Sequence, residues 1–186
     1  MRDVGVIGFV LFLALASPAQ AAQRAGVDMP DAVKVAEKTL VLNGIGVRQA
    51  TIFNVKVYVA GLYVESKSTN PEELIRSAQV KRLDLVFVRD VDRDDITSAW
   101  LKGFKNNSTD LGKLKDRIGQ LNAWMPDMKK KDTMSFLYVP DKGVLVTVNG
   151  VAKGTIPGAD FASALLSIWL GRDPADDDLK SSLLGR

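Results

Sequence analysis

The clearest pattern in the chain is an alternation of apolar residues over residues 40–65. This run has the sequence LVLNGIGVRQATIFNVKVYVAGLYVE, and it predicts two strands joined at Phe53 and Asn54. In the second strand, Tyr58, Ala60 and Leu62 share one face, while Val57, Val59, Gly61 and Tyr63 share the other. Because both faces are largely apolar, we expect this strand to be covered on both sides or to line a cavity.

One charged residue, Arg48, lies among the β-branched and aromatic residues of this run. A buried guanidinium without a partner costs on the order of several kcal/mol in lost solvation. We therefore expect Arg48 to face a negative group. The sequence leaves two alternatives open, which are a bound ligand and an internal carboxylate such as Asp84 or Asp160.

Further strands and helices are predicted on both sides of this run. Asn43 and Gly44 predict a tight turn that ends an initial strand at residues 39–43. Period-two alternation predicts later strands at residues 81–89, 133–139, 144–148 and 151–156. Helical periodicity and capping residues predict helices that begin near Asn70, Asp92, Leu111, Asp160 and Asp178. The tryptophans fall on the apolar stripes of these helices and are predicted to pack in the core at Trp100, Trp124 and Trp169.

The N-terminal segment has the pattern of an export signal. Residues 4–16 are apolar, Arg2 precedes them, and residues 17–21 provide the small side chains that a signal peptidase recognises. The apolar run of about a dozen residues is shorter than the roughly 20 that a membrane-spanning helix needs. We expect a signal peptide at residues 1–21, one mature domain at residues 22–186 in the bacterial periplasm, and no stable membrane insertion.

Composition excludes several kinds of chemistry. The chain has no histidine and no cysteine, so it lacks the usual proton shuttle at neutral pH, a thiol nucleophile and the ligands of common transition-metal sites. The aspartates of residues 173–178 lack the order of a calcium loop and are expected to begin a terminal helix, so we predict no metal and no cofactor. The net charge is +3, and the lysines at residues 129–131 are interpreted as a solvated turn before a strand, which indicates neither a nucleic-acid site nor an anionic-membrane patch.

Three segments of the chain resemble the bacterial chalcone isomerase-like family. They are Asn-Gly-Ile-Gly-Val-Arg at residues 43–48, Lys-Val-Tyr-Val-Ala-Gly-Leu-Tyr at residues 56–63 and Gly-Thr-Ile-Pro-Gly-Ala-Asp-Phe at residues 154–161. The resemblance spans about residues 27–185 and implies an α+β fold, an open-faced sandwich in which a large antiparallel sheet packs against a layer of helices. The family includes plant chalcone isomerases, plastid fatty-acid-binding proteins and non-catalytic relatives, so the resemblance does not decide the function.

The resemblance implies two different roles for Arg48. In the fatty-acid-binding members, an arginine on this strand and a tyrosine grip a carboxylate, and Arg48 with Tyr58 reproduces that pair of residue types. In the catalytic members, the same arginine stabilises the negative charge that develops as a flavanone ring closes. Those enzymes also supply a threonine, a tyrosine and an asparagine, where this chain has Tyr58, Ile96 and Gly103.

The leading hypothesis is therefore non-catalytic binding of a small amphiphilic carboxylate, such as a fatty acid, in a cleft between sheet and helices. One alternative is an isomerase of the chalcone isomerase type that uses Arg48 to stabilise an oxyanion. Another is an envelope interaction protein whose pocket is filled by its own side chains. The last alternative predicts a closed core, so a cavity beside Arg48 distinguishes it from the other two.

Overall fold

In the computed structural model of the chain, residues 21–50, 53 and 55–186 are described. The predicted signal segment at residues 1–20 and Asn54 of the predicted turn lie outside the described residues. The strands are β1 (Ala21–Arg24), β2 (Val27–Pro30), β3 (Ala32–Val35), β4 (Lys38–Ala50), β5 (Val55–Val64), β6 (Lys81–Phe87), β7 (Thr133–Val139), β8 (Gly143–Val148) and β9 (Val151–Ile156). The helices are α1 (Pro71–Arg76), α2 (Arg93–Asn107), α3 (Lys115–Ala123), α4 (Ala159–Leu170) and α5 (Asp177–Leu183), with a 3-10 turn at Gly112–Leu114 before α3.

Strands β3 to β9 form one antiparallel sheet in which every strand lies beside its neighbour in sequence. Strands β1 and β2 form a separate hairpin. The helices supply most of the apolar residues that cover one face of the large sheet. This arrangement confirms the predicted α+β architecture. None of the helices within the described ranges is long and apolar enough to cross a membrane.

The sheet has apolar residues on both faces, as the alternation in β5 predicts. Tyr58 and Leu62 belong to the large core between sheet and helices. Val59 and Tyr63 belong to a smaller core on the outer face, where Met29 of β2 packs over Gly61. The small hairpin therefore covers part of the sheet that the helices leave open, and β5 is buried on both sides.

The predicted turn at Asn43 and Gly44 is wrong, because β4 runs without interruption past both residues. A β-bulge occurs there, since the pairing with β5 shifts between Leu42 and Gly44. The Asn43 side-chain amide donates to the Leu183 carbonyl at 2.7 Å, and its oxygen accepts from the Ser68 amide at 2.9 Å. Contacts with distant segments thus satisfy a side chain that local sequence rules assign to a turn.

The helix ends agree with the sequence in most places. Asn70 caps α1 and accepts from the amide of Glu72, as predicted. Asp160 was expected to cap α4, but Gly158 occupies the cap position, with a φ of 103°. Asp160 lies in the first turn, where its carboxylate takes two hydrogen bonds from the Arg117 guanidinium at 2.7 and 2.6 Å.

Candidate ligand-binding cavity

The two residues singled out from the sequence, Arg48 and Tyr58, lie side by side. They are direct partners in the antiparallel pairing of β4 with β5, and a second bulge follows immediately after Arg48. Directly opposed residues have their Cβ atoms about 4.5–5.5 Å apart. Both residues line one cavity on the helix side of the sheet. The two side chains are therefore close enough to contact the same ligand.

The cavity has a volume of about 530 Å³ and lies between the end of the sheet, α2, α4 and the loop that joins α4 to α5. This volume is typical of small-molecule sites, which span about 300–1,000 Å³. Its walls are apolar at Val57, Phe87, Ile96, Trp100 and Ile168. The charged lining residues other than Arg48 are exposed, as expected of a rim, and they are Arg89, Asp90, Asp92, Asp95, Lys102 and Asp173.

The Tyr58 hydroxyl accepts one hydrogen bond, and its own hydrogen is available to another group. The Trp169 indole N–H donates to the Tyr58 hydroxyl oxygen at 2.9 Å, and both side chains are buried. An indole only donates, so this bond leaves the hydroxyl hydrogen without an acceptor within the described ranges. Burial raises the pKa of Tyr58 to about 12, so the hydroxyl keeps its proton at neutral pH.

Arg48 has one carboxylate partner among the described residues, and the contact is long. Its Nη1 lies 3.4 Å from Oδ2 of Asp176, the residue that caps α5. The same Oδ2 accepts from the backbone amide of Gln49 at 2.9 Å, and Oδ1 accepts from the amide of Leu179 at 3.0 Å. Asp176 is thus held mainly by backbone amides, and it makes one weak contact with Arg48.

Neither internal partner suggested by the sequence is the right one. Asp84 accepts from Arg82 at 2.7 Å, and Asp160 is bound by Arg117. Asp84 pairs with Gly61 in the strand register, and Gly61 faces the outer core. The Asp84 side chain therefore lies on the opposite side of the sheet from the cavity that Arg48 lines. Asp176 takes this role instead.

The donors of Arg48 are mostly unused. A guanidinium has five N–H groups, and the contact with Asp176 is the one side-chain hydrogen bond that Arg48 makes within residues 21–50, 53 and 55–186. About 23% of its side chain is exposed. A planar fork with free N–H groups beside a hydroxyl hydrogen forms a receptor for a carboxylate, which accepts two hydrogen bonds from arginine and a third from tyrosine.

The wall across from Arg48 carries no hydrogen-bonding side chain at the two positions matched to the enzymes' tyrosine and asparagine. Ile96 and Gly103 both line the cavity. A Cβ at Gly103 would lie 2.8 Å from Cγ2 of Ile168, so the close packing of α2 on α4 requires glycine there. No group of acidic side chains in the described part of the chain is arranged to hold a metal ion.

Sequence reasoning missed Asp176 and Trp169 as parts of the site. Trp169 was assigned to core packing, which is confirmed, but its N–H also orients Tyr58. Asp176 was noted only as part of an acidic segment. The sequence analysis also missed the role of the loop after α4. This loop is attached to α2, because Asn107 donates to the Asp173 carbonyl at 2.7 Å and accepts from the Asp173 amide at 3.0 Å.

Comparison with known proteins agrees with this architecture. A fatty-acid-binding protein of Arabidopsis thaliana, AtFAP1, has the same fold in its crystal structure, with a TM-score of 0.71 at 15% sequence identity over 89% of this chain and 96% of that chain. No curated protein matches the sequence. A family model described as chalcone isomerase-like matches residues 21–185. This match covers most of the chain, and the protein therefore belongs to the chalcone isomerase-like family.

Proposed function

We propose that the protein binds a small amphiphilic carboxylate, such as a fatty acid, without transforming it. The observation that carries the proposal is the pairing of an under-used guanidinium with a tyrosine hydroxyl hydrogen at the wall of an apolar cavity of about 530 Å³. The carboxylate binds Arg48 and Tyr58, and the apolar part lies along α2. The shared fold with a fatty-acid-binding protein supports this assignment.

The two ends of such a ligand contribute in different ways. Each methylene group buried in the cavity adds about 0.8 kcal/mol, which is a factor of about four in affinity. A hydrogen bond to a charged group contributes about 1.5–3 kcal/mol, so the head group adds roughly 10- to 150-fold. Affinity should therefore rise with chain length until the cavity is full, and the carboxylate should be required at every length.

Calorimetric titration with saturated carboxylates of increasing length tests the proposal. Arg48→Met, which keeps the length of the side chain, should weaken carboxylate binding about 10- to 150-fold, and Tyr58→Phe should weaken it by about 2- to 10-fold. The matched control is Arg82→Met, because Arg82 is also partly buried but pairs with Asp84 on the other face of the sheet. This control should bind like the unmodified protein.

A methyl ester series gives the second control. Esters of the same chain length lack the charge, so Arg48→Met should leave their affinity unchanged. The proposal is wrong if Arg48→Met binds carboxylates as well as the unmodified protein does. Native mass spectrometry of the gently purified protein should also show a co-purified acidic lipid.

The isomerase alternative rests on Arg48 alone. Ile96 and Gly103 provide no hydrogen-bond donors across the cavity, where the enzymes have a tyrosine and an asparagine. A chalcone absorbance assay at high protein concentration should therefore show no ring closure, and activity that disappears in Arg48→Met would favour the enzyme instead. The alternative of a filled core is not supported, because a cavity lies beside Arg48.

We also propose that binding takes place in the bacterial periplasm, on the basis of the signal-peptide pattern at residues 1–21. Expression of the full chain followed by osmotic shock should release it with the periplasmic fraction. The N-terminal sequence of the released protein should begin at Ala22. A cytoplasmic protein that retains Met1 would contradict the prediction of export.

A further inference from the structure

A second concave surface lies on the outer face of the sheet, away from the cavity. It is a groove of about 390 Å³ beside the tip of the β1–β2 hairpin. Its apolar floor is formed by Val27, Val86 and Val88 of the outer face, and three lysines surround it, Lys56, Lys130 and Lys131. We call these three residues the lysine rim. The groove thus combines apolar surface with concentrated positive charge.

The lysine rim has no counter-charge of its own. Within residues 21–50, 53 and 55–186, the ammonium groups of Lys56, Lys130 and Lys131 make no ion pair or hydrogen bond, and all three residues are exposed. The neighbouring Lys129 differs, because it forms an ion pair with Asp90 at 3.2 Å. Asp132 is engaged by the amide of Lys129 at 2.7 Å. The nearby carboxylates are therefore already engaged.

The groove and the cavity differ in the charges that line them. On the helix side, Asp92 and Asp95 at the start of α2 line the cavity together with cationic residues, so the cavity rim carries both signs. The charged residues that line the groove on the opposite side are those of the lysine rim. An anionic surface is therefore attracted more strongly to the groove than to the cavity rim, so the charges favour one orientation.

An exposed aromatic side chain lies at the same end. Phe53 is in the turn between β4 and β5, three residues before Lys56, and its exposed fraction is 80%. An exposed phenylalanine next to lysines is typical of segments that lie in the interface of a bilayer, where the ring enters the acyl boundary and the amines meet the phosphates.

We propose that this end of the protein docks on the surface of an anionic phospholipid membrane. Phe53 enters the interface, and the lysine rim binds lipid phosphates. Residues that line the cavity, Ala50 and Val57, flank the same turn, so docking brings the cavity close to the bilayer. The inference does not depend on the ligand, because the groove and the cavity are on opposite faces of the sheet.

Vesicle flotation tests the docking surface. The unmodified protein should float with vesicles of phosphatidylcholine containing phosphatidylglycerol, and it should not float with phosphatidylcholine alone. Raising the salt concentration should weaken binding, because the attraction is screened. Changing Lys56, Lys130 and Lys131 together to Gln should weaken binding roughly 150-fold, as expected for three lysines near an anionic surface.

A matched triple variant controls for net charge. Lys67, Lys115 and Lys142 are exposed lysines elsewhere on the surface, and their change to Gln should leave flotation intact. Equal losses in the two triple variants, or no flotation of the unmodified protein at low salt, would overturn the proposal. The proposal would also be overturned if soluble glycerol phosphate bound the groove as well as the vesicles do, because that result indicates a site for a free anion.

The role of Phe53 has its own measurement. In a Phe53→Trp variant, indole emission should shift to shorter wavelength with anionic vesicles, and lipids brominated near the head group should quench it. Fluorescence that does not respond to bound vesicles would remove Phe53 from the interface and overturn the proposed orientation. The lysine-rim variant should still bind carboxylates in solution, so failure of docking and failure of ligand binding are distinguishable.

Discussion

Replacing Asp176 with Asn is predicted to change carboxylate affinity and protein stability in opposite directions. Asp176 accepts from two backbone amides, those of Gln49 and Leu179, and lies 3.4 Å from Arg48. Asparagine keeps one oxygen, which can still cap α5, because Asn and Asp are equally good at this position. The substitution therefore removes the negative charge beside Arg48 while it leaves the helix start largely intact.

The size of the affinity change follows from the geometry. A ligand carboxylate on the free side of the guanidinium lies about 6 Å from Asp176, which gives a repulsion of about 1.4–2.8 kcal/mol at effective dielectric constants of about 40–20. Carboxylates should therefore bind roughly 10- to 100-fold more tightly to Asp176→Asn. The lost acceptor for the Gln49 amide should lower the free energy of unfolding by about 1 kcal/mol.

Calorimetric titration with a carboxylate and its methyl ester, together with urea unfolding, measures both effects. Asp177→Asn is the matched control, because Asp177 is an exposed residue in the first turn of the same helix. Asp177→Asn should change neither the carboxylate affinity nor the ester affinity appreciably. If Asp176→Asn does not improve carboxylate binding over Asp177→Asn, then Arg48 is a structural partner of Asp176 and the anchoring role is wrong.

Two further predictions concern α4. Trp169→Phe removes the donor to Tyr58 and part of a buried ring, so the free energy of unfolding should fall by about 2 kcal/mol. Carboxylate affinity should fall a few-fold relative to ester affinity, and an unchanged ratio in calorimetry would contradict the orienting role. The hydrogen bonds from Arg117 hold the pKa of Asp160 at about 2, below its ordinary value of 3.8. Their stabilisation is therefore complete above the ordinary pKa and is lost as pH falls through 2. Asp160→Asn should lower the unfolding free energy by about 1 kcal/mol at pH 6, a figure discounted for the 59% exposure of this carboxylate, and the difference should vanish below about pH 2 in urea titrations.

The part of the fold that the sequence predicts well is the part with local signals. Strands β7 and β9 have the bounds predicted from alternation, and β8 differs by one residue. Their connections are short turns with Asp141, Gly143, Asn149 and Gly150 at positive φ, a conformation that those residue types favour. The Asn43–Gly44 pair carries a similar signal. There, contacts with α5 and the loop after β5 favour a bulge in place of a turn.

The sequence likewise predicts some residues of the candidate site and not others. Arg48 and Tyr58 are predictable together, because they belong to consecutive strands whose hairpin pairing brings them face to face. The other two residues are not predictable from local patterns. Asp176 lies 128 residues from Arg48 along the chain, and Trp169 lies 111 residues from Tyr58. Contacts over such separations depend on how helices pack across the sheet, and no local pattern records that packing.

The contacts of Asp176 also bear on which negative group Arg48 faces. An internal carboxylate and a ligand carboxylate first appear as alternatives for one cation. Asp176, however, directs both oxygens to backbone amides and reaches only one guanidinium nitrogen, at a distance near the limit of a hydrogen bond. It therefore contacts Arg48 at the cavity wall without occupying its other donors. The internal pair reduces the net charge that a ligand meets, so Tyr58 must contribute a neutral donor. On the proposed function, the affinity for a carboxylate should accordingly be moderate.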